Sequence, residues 1–144
     1  MRHTLLLILI WLPLLICATD KNVNITINLS TELSQTEQWI YANGYIGGNE
    51  FAILDSVKVN KGDMKTKLSF DISHGMSIYI LCSEKGPINL FFDIEPNTNC
   101  EIEIDENTNG RYPLPMKGND MYNEFLAFDN KILYIGKKSV DQSL

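Results

Sequence analysis

Four carboxylates are the residues best suited to chemistry, because they alternate along two adjacent segments. Asp93 and Glu95 lie in the first segment, and Glu101 and Glu103 lie in the second. If the segments pair as antiparallel strands, the carboxylates form two facing pairs: Glu95 with Glu101, and Asp93 with Glu103. Such a group could bind a hard cation or hydrolyse a glycoside, for which carboxyl groups stand roughly 5 to 9 Å apart. We favour ordinary solvation of an exposed sheet face, because the neighbouring sequence supplies no other site residue.

A partial calcium-loop pattern follows the second segment. Asp105, Asn107 and Asn109 supply oxygen donors at alternate positions, and Gly110 suits the sharp turn. The twelfth position, where a bidentate glutamate is required, is Met116. We therefore predict no metal site, with a weak ion site as the alternative.

Cysteine and histidine chemistry is limited by position. Cys82 and Cys100 form no Cys-x-x-Cys pair, and both fall on inward positions, where a thiol behaves as a small hydrophobe. About six residues at roughly 3.3 Å each separate them along the central strand, too far for a bridge. His74 stands alone in a Ser-His-Gly turn. We predict no disulfide, no cofactor and no catalytic residue.

These residues are positioned by three alternating segments between residues 76 and 105. Gly, Pro and Asn residues separate the segments, which predicts an antiparallel meander with one buried and one solvated face. In the expected register Cys82 lies opposite Ile88, and Ile94 lies opposite Ile102. The predicted buried residues are Ile78, Ile80, Cys82, Ile88, Leu90, Phe92, Ile94, Ile102 and Ile104.

Four further strands are predicted before the meander, at residues 23–29, 39–42, 51–59 and 67–72. Asn43 and Gly44 are expected to end the second strand. Inward residues of the third are expected to be Phe51, Ile53, Val57 and Val59, with Asp55 interrupting the alternation. Residues 107–115 are expected to form a connector without regular structure. The fold class is therefore mainly β: an antiparallel β-sandwich of about seven strands with a C-terminal α-helix.

Three aromatic residues near the second strand, Trp39, Tyr41 and Tyr45, could stack on a sugar ring. Aromatic residues in the strands of a small sandwich more commonly belong to the core. We therefore favour a core position and keep a small-ligand or glycan-binding module as the alternative function.

The C-terminal segment predicts a helix that begins near Asn119, a good capping residue, and ends at Gly136. Its apolar residues recur at helical spacing: Met121, Phe125, Phe128 and Ile132. The predicted divisions are a signal peptide at 1–18, a β-sandwich at 19–116, a helix at 117–135 and a tail at 136–144.

The N-terminus has the charged start and short apolar run of a secretory signal helix, which predicts export to the periplasm or cell envelope. An uncleaved anchor helix is the alternative. Cys17 ends the apolar run as in a lipoprotein signal, although Ile16 stands where a small residue is usual, so lipidation of Cys17 is a second alternative. The formal net charge of −6 argues against nucleic-acid binding.

Four segments together resemble one family: LDSVKVNKG at 54–62, INLFF at 88–92, CEIEID at 100–105 and KGNDMYNEF at 117–125. They are similar to the uncharacterised N-terminal β domain of bacterial envelope thioredoxin-like thiol-disulfide interchange proteins. The resemblance implies a Gram-negative envelope location and a noncatalytic accessory role. In that family the helix leads to a redox domain, whereas this sequence ends at Leu144.

The sequence is compatible with three functions. The favoured one is an accessory module that contacts a protein partner through its helix, with Tyr122, Phe125 and Phe128 as candidate contacts. The second is the glycan-binding sandwich, which predicts a groove around Trp39 and Tyr45. The third, least favoured, is a hydrolase that uses the acidic face.

Overall fold

The computed structural model describes residues 20–48, 50–82 and 88–141, with side chains as far as residue 132. The predicted signal peptide, Cys17 and the last residues of the predicted tail lie outside the described residues. The strands are β1 (Val23–Leu29), β2 (Gln38–Gly47), β3 (Glu50–Val59), β4 (Lys65–Phe70), β5 (Met76–Cys82), β6 (Ile88–Ile94), β7 (Thr98–Ile104) and β8 (Gly110–Arg111). A 3-10 turn covers Leu33–Gln35, and the helix α1 covers Asp120–Asp141.

The strands form two sheets that pack as a sandwich. One sheet has three strands in the order β4-β1-β7, and the other has five in the order β3-β2-β5-β6-β8. The β1–β7 and β6–β8 pairs are parallel, and the remaining pairs are antiparallel. The mainly β sandwich with a C-terminal helix is therefore confirmed.

Alternation placed the core of the meander correctly. Every residue predicted to be inward between Ile78 and Ile104 is buried, and Cys82 lies opposite Ile88. Each large aliphatic side chain buried in this way stabilises the fold by about 1.5–3 kcal/mol relative to an exposed one. The two inner faces thus supply most of the free energy that holds the sandwich together.

The predicted pairing of Ile94 with Ile102 is wrong. Residues 95–97 carry the chain from one sheet to the other, with Asn97 at a positive φ of 65°, so β7 pairs with β1 instead of β6. A strand buries the same residues whichever sheet it joins, because each sheet of a sandwich has one inner face. Alternation alone therefore could not distinguish a hairpin from a crossover.

Three boundaries also differ from the prediction. β2 continues through Asn43 and Gly44, because pairing with β3 and β5 satisfies its backbone. The predicted connector contains β8, which adds to the edge of β6. Helix α1 continues past Gly136, because one glycine costs a helix only about 1 kcal/mol. No helix in the described ranges is long and apolar enough to cross a membrane.

Candidate functional site

The outer face of the five-stranded sheet carries an extended set of aromatic side chains. Centroid distances connect four of them: Tyr45 to Phe51 at 5.6 Å, Phe51 to Tyr79 at 4.8 Å, and Tyr79 to Phe91 at 5.7 Å. Trp39 and Tyr41 stack at 6.2 Å farther along β2. We call this set, completed by Ile53 on β3, the aromatic surface.

The aromatic surface faces solvent. Half of Phe51 and 64% of Ile53 are exposed, and Trp39 and Tyr45 are each more than two-fifths exposed. The predictions of a core position for the β2 aromatics and of an inward position for Phe51 and Ile53 are therefore wrong. A soluble monomer seldom exposes so many large apolar side chains together.

A β-bulge exposes Phe51 and Ile53, the β3 residues of the aromatic surface. Ala42 lies opposite Asp55, but the next residue of β2, Asn43, lies opposite Ile53, so Leu54 is an extra residue in β3. An extra residue reverses the alternation beyond it. Val59 consequently points into the core, whereas Ile53 points outward.

Asp55 stabilises the chain at the bulge. Its Oδ1 accepts a hydrogen bond from the Ser56 amide at 2.8 Å, and its Oδ2 accepts one from the Ser69 amide of β4 at 2.6 Å. The predicted break in alternation at Asp55 is therefore the point at which β3 is hydrogen-bonded to β4 of the other sheet.

Arg111 links the aromatic surface to the helix. Pairing of β8 with β6 places Arg111 beside Phe91, and the guanidinium carbon lies 5.7 Å from the ring centroid of Phe91 and 4.1 Å from that of Phe125. Arg111 also contacts Asp93 at 3.4 Å. Two cation–π contacts and one ion pair therefore join β6, β8 and α1.

The first turn of α1 is fixed to the sandwich by buried polar contacts. Asn119 Oδ1 accepts a hydrogen bond from the Tyr122 amide, and Asn119 Nδ2 donates one to the Asp93 carbonyl. The Tyr122 hydroxyl donates to the Tyr112 carbonyl, and the Tyr122 ring lies 6.2 Å from that of Phe92. Burial raises the pKa of both tyrosines. Asn119 is the predicted cap, but Tyr122 is fully buried, so its predicted role as a partner contact is wrong.

The opposite side of α1 is exposed. Phe125, Phe128 and Ile132, which we call the helix stripe, are 38%, 62% and 51% exposed. Of the described side chains after Leu126, none is buried. The helix stripe adjoins the aromatic surface through the contact of Phe125 with Arg111.

The acidic residues do not form the predicted face, because β6 and β7 lie in different sheets. Asp93 accepts a hydrogen bond from Ser77 at 2.5 Å, whereas Glu101 accepts from Asn28 at 2.9 Å and pairs with Lys65 at 3.3 Å. The Asn28 bond and Lys65 lower the pKa of Glu101. No group of three or more potential metal ligands occurs among the described residues.

The partial calcium pattern forms a closed turn beside a cleft of 600 Å³. Asp105 Oδ1 accepts hydrogen bonds from the Thr108 hydroxyl at 2.7 Å and the Asn107 amide at 2.9 Å, which lower the pKa of Asp105. Asn109 Oδ1 accepts one from the Gly110 amide. Two of the predicted oxygen donors, the side chains of Asp105 and Asn109, therefore accept hydrogen bonds within the turn itself.

Both described cysteines are buried thiols. Burial raises the pKa of Cys82 to about 11 and that of Cys100 to about 12. Their predicted inward positions are confirmed, and a thiol of such high pKa is a poor nucleophile at neutral pH. His74 is exposed, with its ring beside the Ser73 hydroxyl.

The sequence prediction missed Tyr79, Phe91 and Arg111. The alternation that places Ile78, Ile80 and Phe92 inside also places Tyr79 and Phe91 outside. An outward aromatic residue in each of two paired strands was the available signal. No sequence signal indicated Arg111, because a strand of two residues is too short to show alternation.

The chain matches no family model, no curated protein and no solved structure in the comparisons. The resemblance to the β domain of envelope thiol-disulfide interchange proteins therefore stays a hypothesis that rests on the four quoted segments.

Proposed function

We propose that this chain is a noncatalytic accessory β-sandwich domain of an exported bacterial envelope protein, and that it contacts a protein partner. The observation that supports this proposal is the exposed apolar area formed by the aromatic surface and the helix stripe. Exposure of Phe125 and Phe128 is what the accessory-module hypothesis predicts and the glycan-binding and hydrolase hypotheses do not. The envelope location rests on the signal pattern and the family resemblance.

Ring geometry supports a protein partner over a glycan for most of the surface. The Tyr45–Phe51 and Phe51–Tyr79 pairs are tilted by 60° and 81°, so the rings pack edge to face against one another. Sugar stacking needs exposed, roughly coplanar ring faces, whereas a protein partner can pack against edges as well as faces. Aromatic residues and arginine are also the residue types enriched in protein interfaces.

One observation favours the glycan alternative. Trp39 and Tyr41 have ring planes only 22° apart, and Trp39 is 42% exposed. A short oligosaccharide could stack along this pair. If it does, oligosaccharides will change the fluorescence of Trp39 in the exported chain, and Tyr41→Ala, which keeps this tryptophan but removes its stacking partner, will weaken the change.

The facing carboxylate pairs on which the hydrolase hypothesis depended do not form, since Asp93 and Glu101 belong to separate sheets and have separate partners. The thiols likewise lack the lowered pKa of a redox centre. Both facts support the noncatalytic proposal.

Site-specific photo-crosslinking tests the proposal in intact cells. A photoreactive phenylalanine replaces Tyr45 or Phe128 in the full-length chain, and Met64, which is 51% exposed in the β3–β4 turn, is the control position. The proposal predicts a discrete protein adduct at the two test positions that is absent at Met64. Absence of adducts at both test positions, or an equal yield at Met64, would show that the surface has no protein partner.

A further inference from the structure

We propose that the protein partner of the aromatic surface is a second copy of this chain, bound face to face about a twofold axis. This inference rests on the proposed function and identifies the occupant of the surface. It is drawn from the size of the exposed area, the distribution of charge and the shape of the face.

The exposed area is close to that of a stable dimer interface. Seven large side chains, each about half exposed, contribute: Trp39, Tyr45, Phe51, Ile53, Phe125, Phe128 and Ile132. At roughly 200 Å² for each such side chain, they expose on the order of 700 Å². A standard interface buries about 800 Å² per partner, whereas the largest apolar patch of a monomer is usually about 300–600 Å².

The charge distribution permits two copies to meet at this face. The chain carries a formal net charge of −6, so most pairings of its surfaces bring like charges together. Among the outer positions of β2, β3, β5 and β6, the charged side chains are Asp93, which pairs with Arg111 of β8, and Lys58, which pairs with Glu37. Charge repulsion is therefore smallest where the aromatic residues lie.

The shape of the face suits an isologous contact. In a twofold dimer the same patch serves both partners, so the patch must be self-complementary. The outer face of a sheet can serve in such a contact, because two sheets pack face to face about 10 Å apart. The helix stripe adjoins the sheet through Phe125 and Arg111, so it would extend the same contact.

Sedimentation velocity of the exported chain, expressed from its full-length sequence, tests the inference across a micromolar concentration series. We expect a monomer–dimer equilibrium. Phe51→Ser should raise the dissociation constant roughly tenfold or more, as for an aromatic residue central to an interface. Ile53→Lys, which places like charges across the twofold axis, should do the same, and Met64→Ser should leave the constant unchanged.

A monomer at every concentration overturns the inference. So does a dimer that resists both face variants, or one that weakens equally in Met64→Ser. Since Phe51 and Ile53 are exposed, neither variant removes core packing, and near-ultraviolet circular dichroism confirms the fold of each. The crosslinking experiment separates the two proposals: an adduct of twice the chain mass supports both, whereas one of another mass supports the proposed function and overturns self-association.

Discussion

Asn119→Ala is the substitution whose effect can be worked out most fully. The Asn119 side chain is only 2% exposed and makes two hydrogen bonds to the backbone, one that caps α1 and one that joins α1 to the sandwich. Its Oδ1 accepts from the Tyr122 amide at 3.2 Å, and its Nδ2 donates to the Asp93 carbonyl at 2.9 Å. Alanine removes both bonds.

The two losses have separate magnitudes. Loss of the helix cap costs about 1 kcal/mol, within a range of 0.5–2. The Asp93 carbonyl is left without its partner at a half-buried site, which costs about 1–3 kcal/mol. We therefore expect the free energy of unfolding to fall by about 2–4 kcal/mol, which for a chain of this size lowers Tm by roughly 10 °C.

Urea unfolding followed by circular dichroism measures the change. Asn119→Ser retains a capping oxygen but loses the donor to the Asp93 carbonyl, so its free energy of unfolding should lie between those of the parent and Asn119→Ala. Asn107→Ala, at an exposed asparagine in the turn after β7, is the matched control and should change stability by less than about 0.5 kcal/mol. The reasoning is refuted if Asn119→Ala behaves like that control, or if Ser is as damaging as Ala.

Three further outcomes follow from the same structure. Gly118→Ala should destabilise the chain severely and give little soluble protein, because φ is +85° and the added Cβ would lie 1.9 Å from the Asn99 carbonyl oxygen; parental solubility and Tm would contradict this. Cys82 and Cys100 should react with a thiol reagent at pH 8 only after denaturant is added, because both are buried with raised pKa values; labelling of either under native conditions would contradict this. Glu101→Gln should reduce the free energy of unfolding at neutral pH but not well below pH 4.5. A carboxylate whose pKa is lower in the folded state than in the unfolded state stabilises the fold at pH values above the unfolded-state pKa. That stabilisation is lost as the pH falls through the folded-state pKa. Urea unfolding at both pH values tests this, and an equal loss at the two would refute it.

Sequence alternation predicted the buried side of the meander because the period of a strand is two residues and does not depend on the neighbouring strand. The neighbour itself could not be predicted. Ile94 and Ile102 both point into the core, but Ile94 belongs to the five-stranded sheet and Ile102 to the three-stranded sheet. The carboxylates of the two strands therefore do not share one face. The cap at Asn119 was predictable because it depends only on local backbone geometry, whereas the burial of Tyr122 depends on Tyr112 and Phe92, which are distant in sequence.

The exposure of Phe51 and Ile53 could not be predicted from the sequence of β3, because it depends on one extra residue in that strand. Without the bulge, Ile53 and Phe51 would share the inward side of Val59, as the uninterrupted pattern suggested. Leu54 reverses the alternation where Asp55 accepts amide hydrogen bonds from its own strand and from β4. Bulges commonly redirect side chains at functional sites. The Asp55-Ser56 segment therefore stabilises the bulge that exposes Phe51 and Ile53 to solvent.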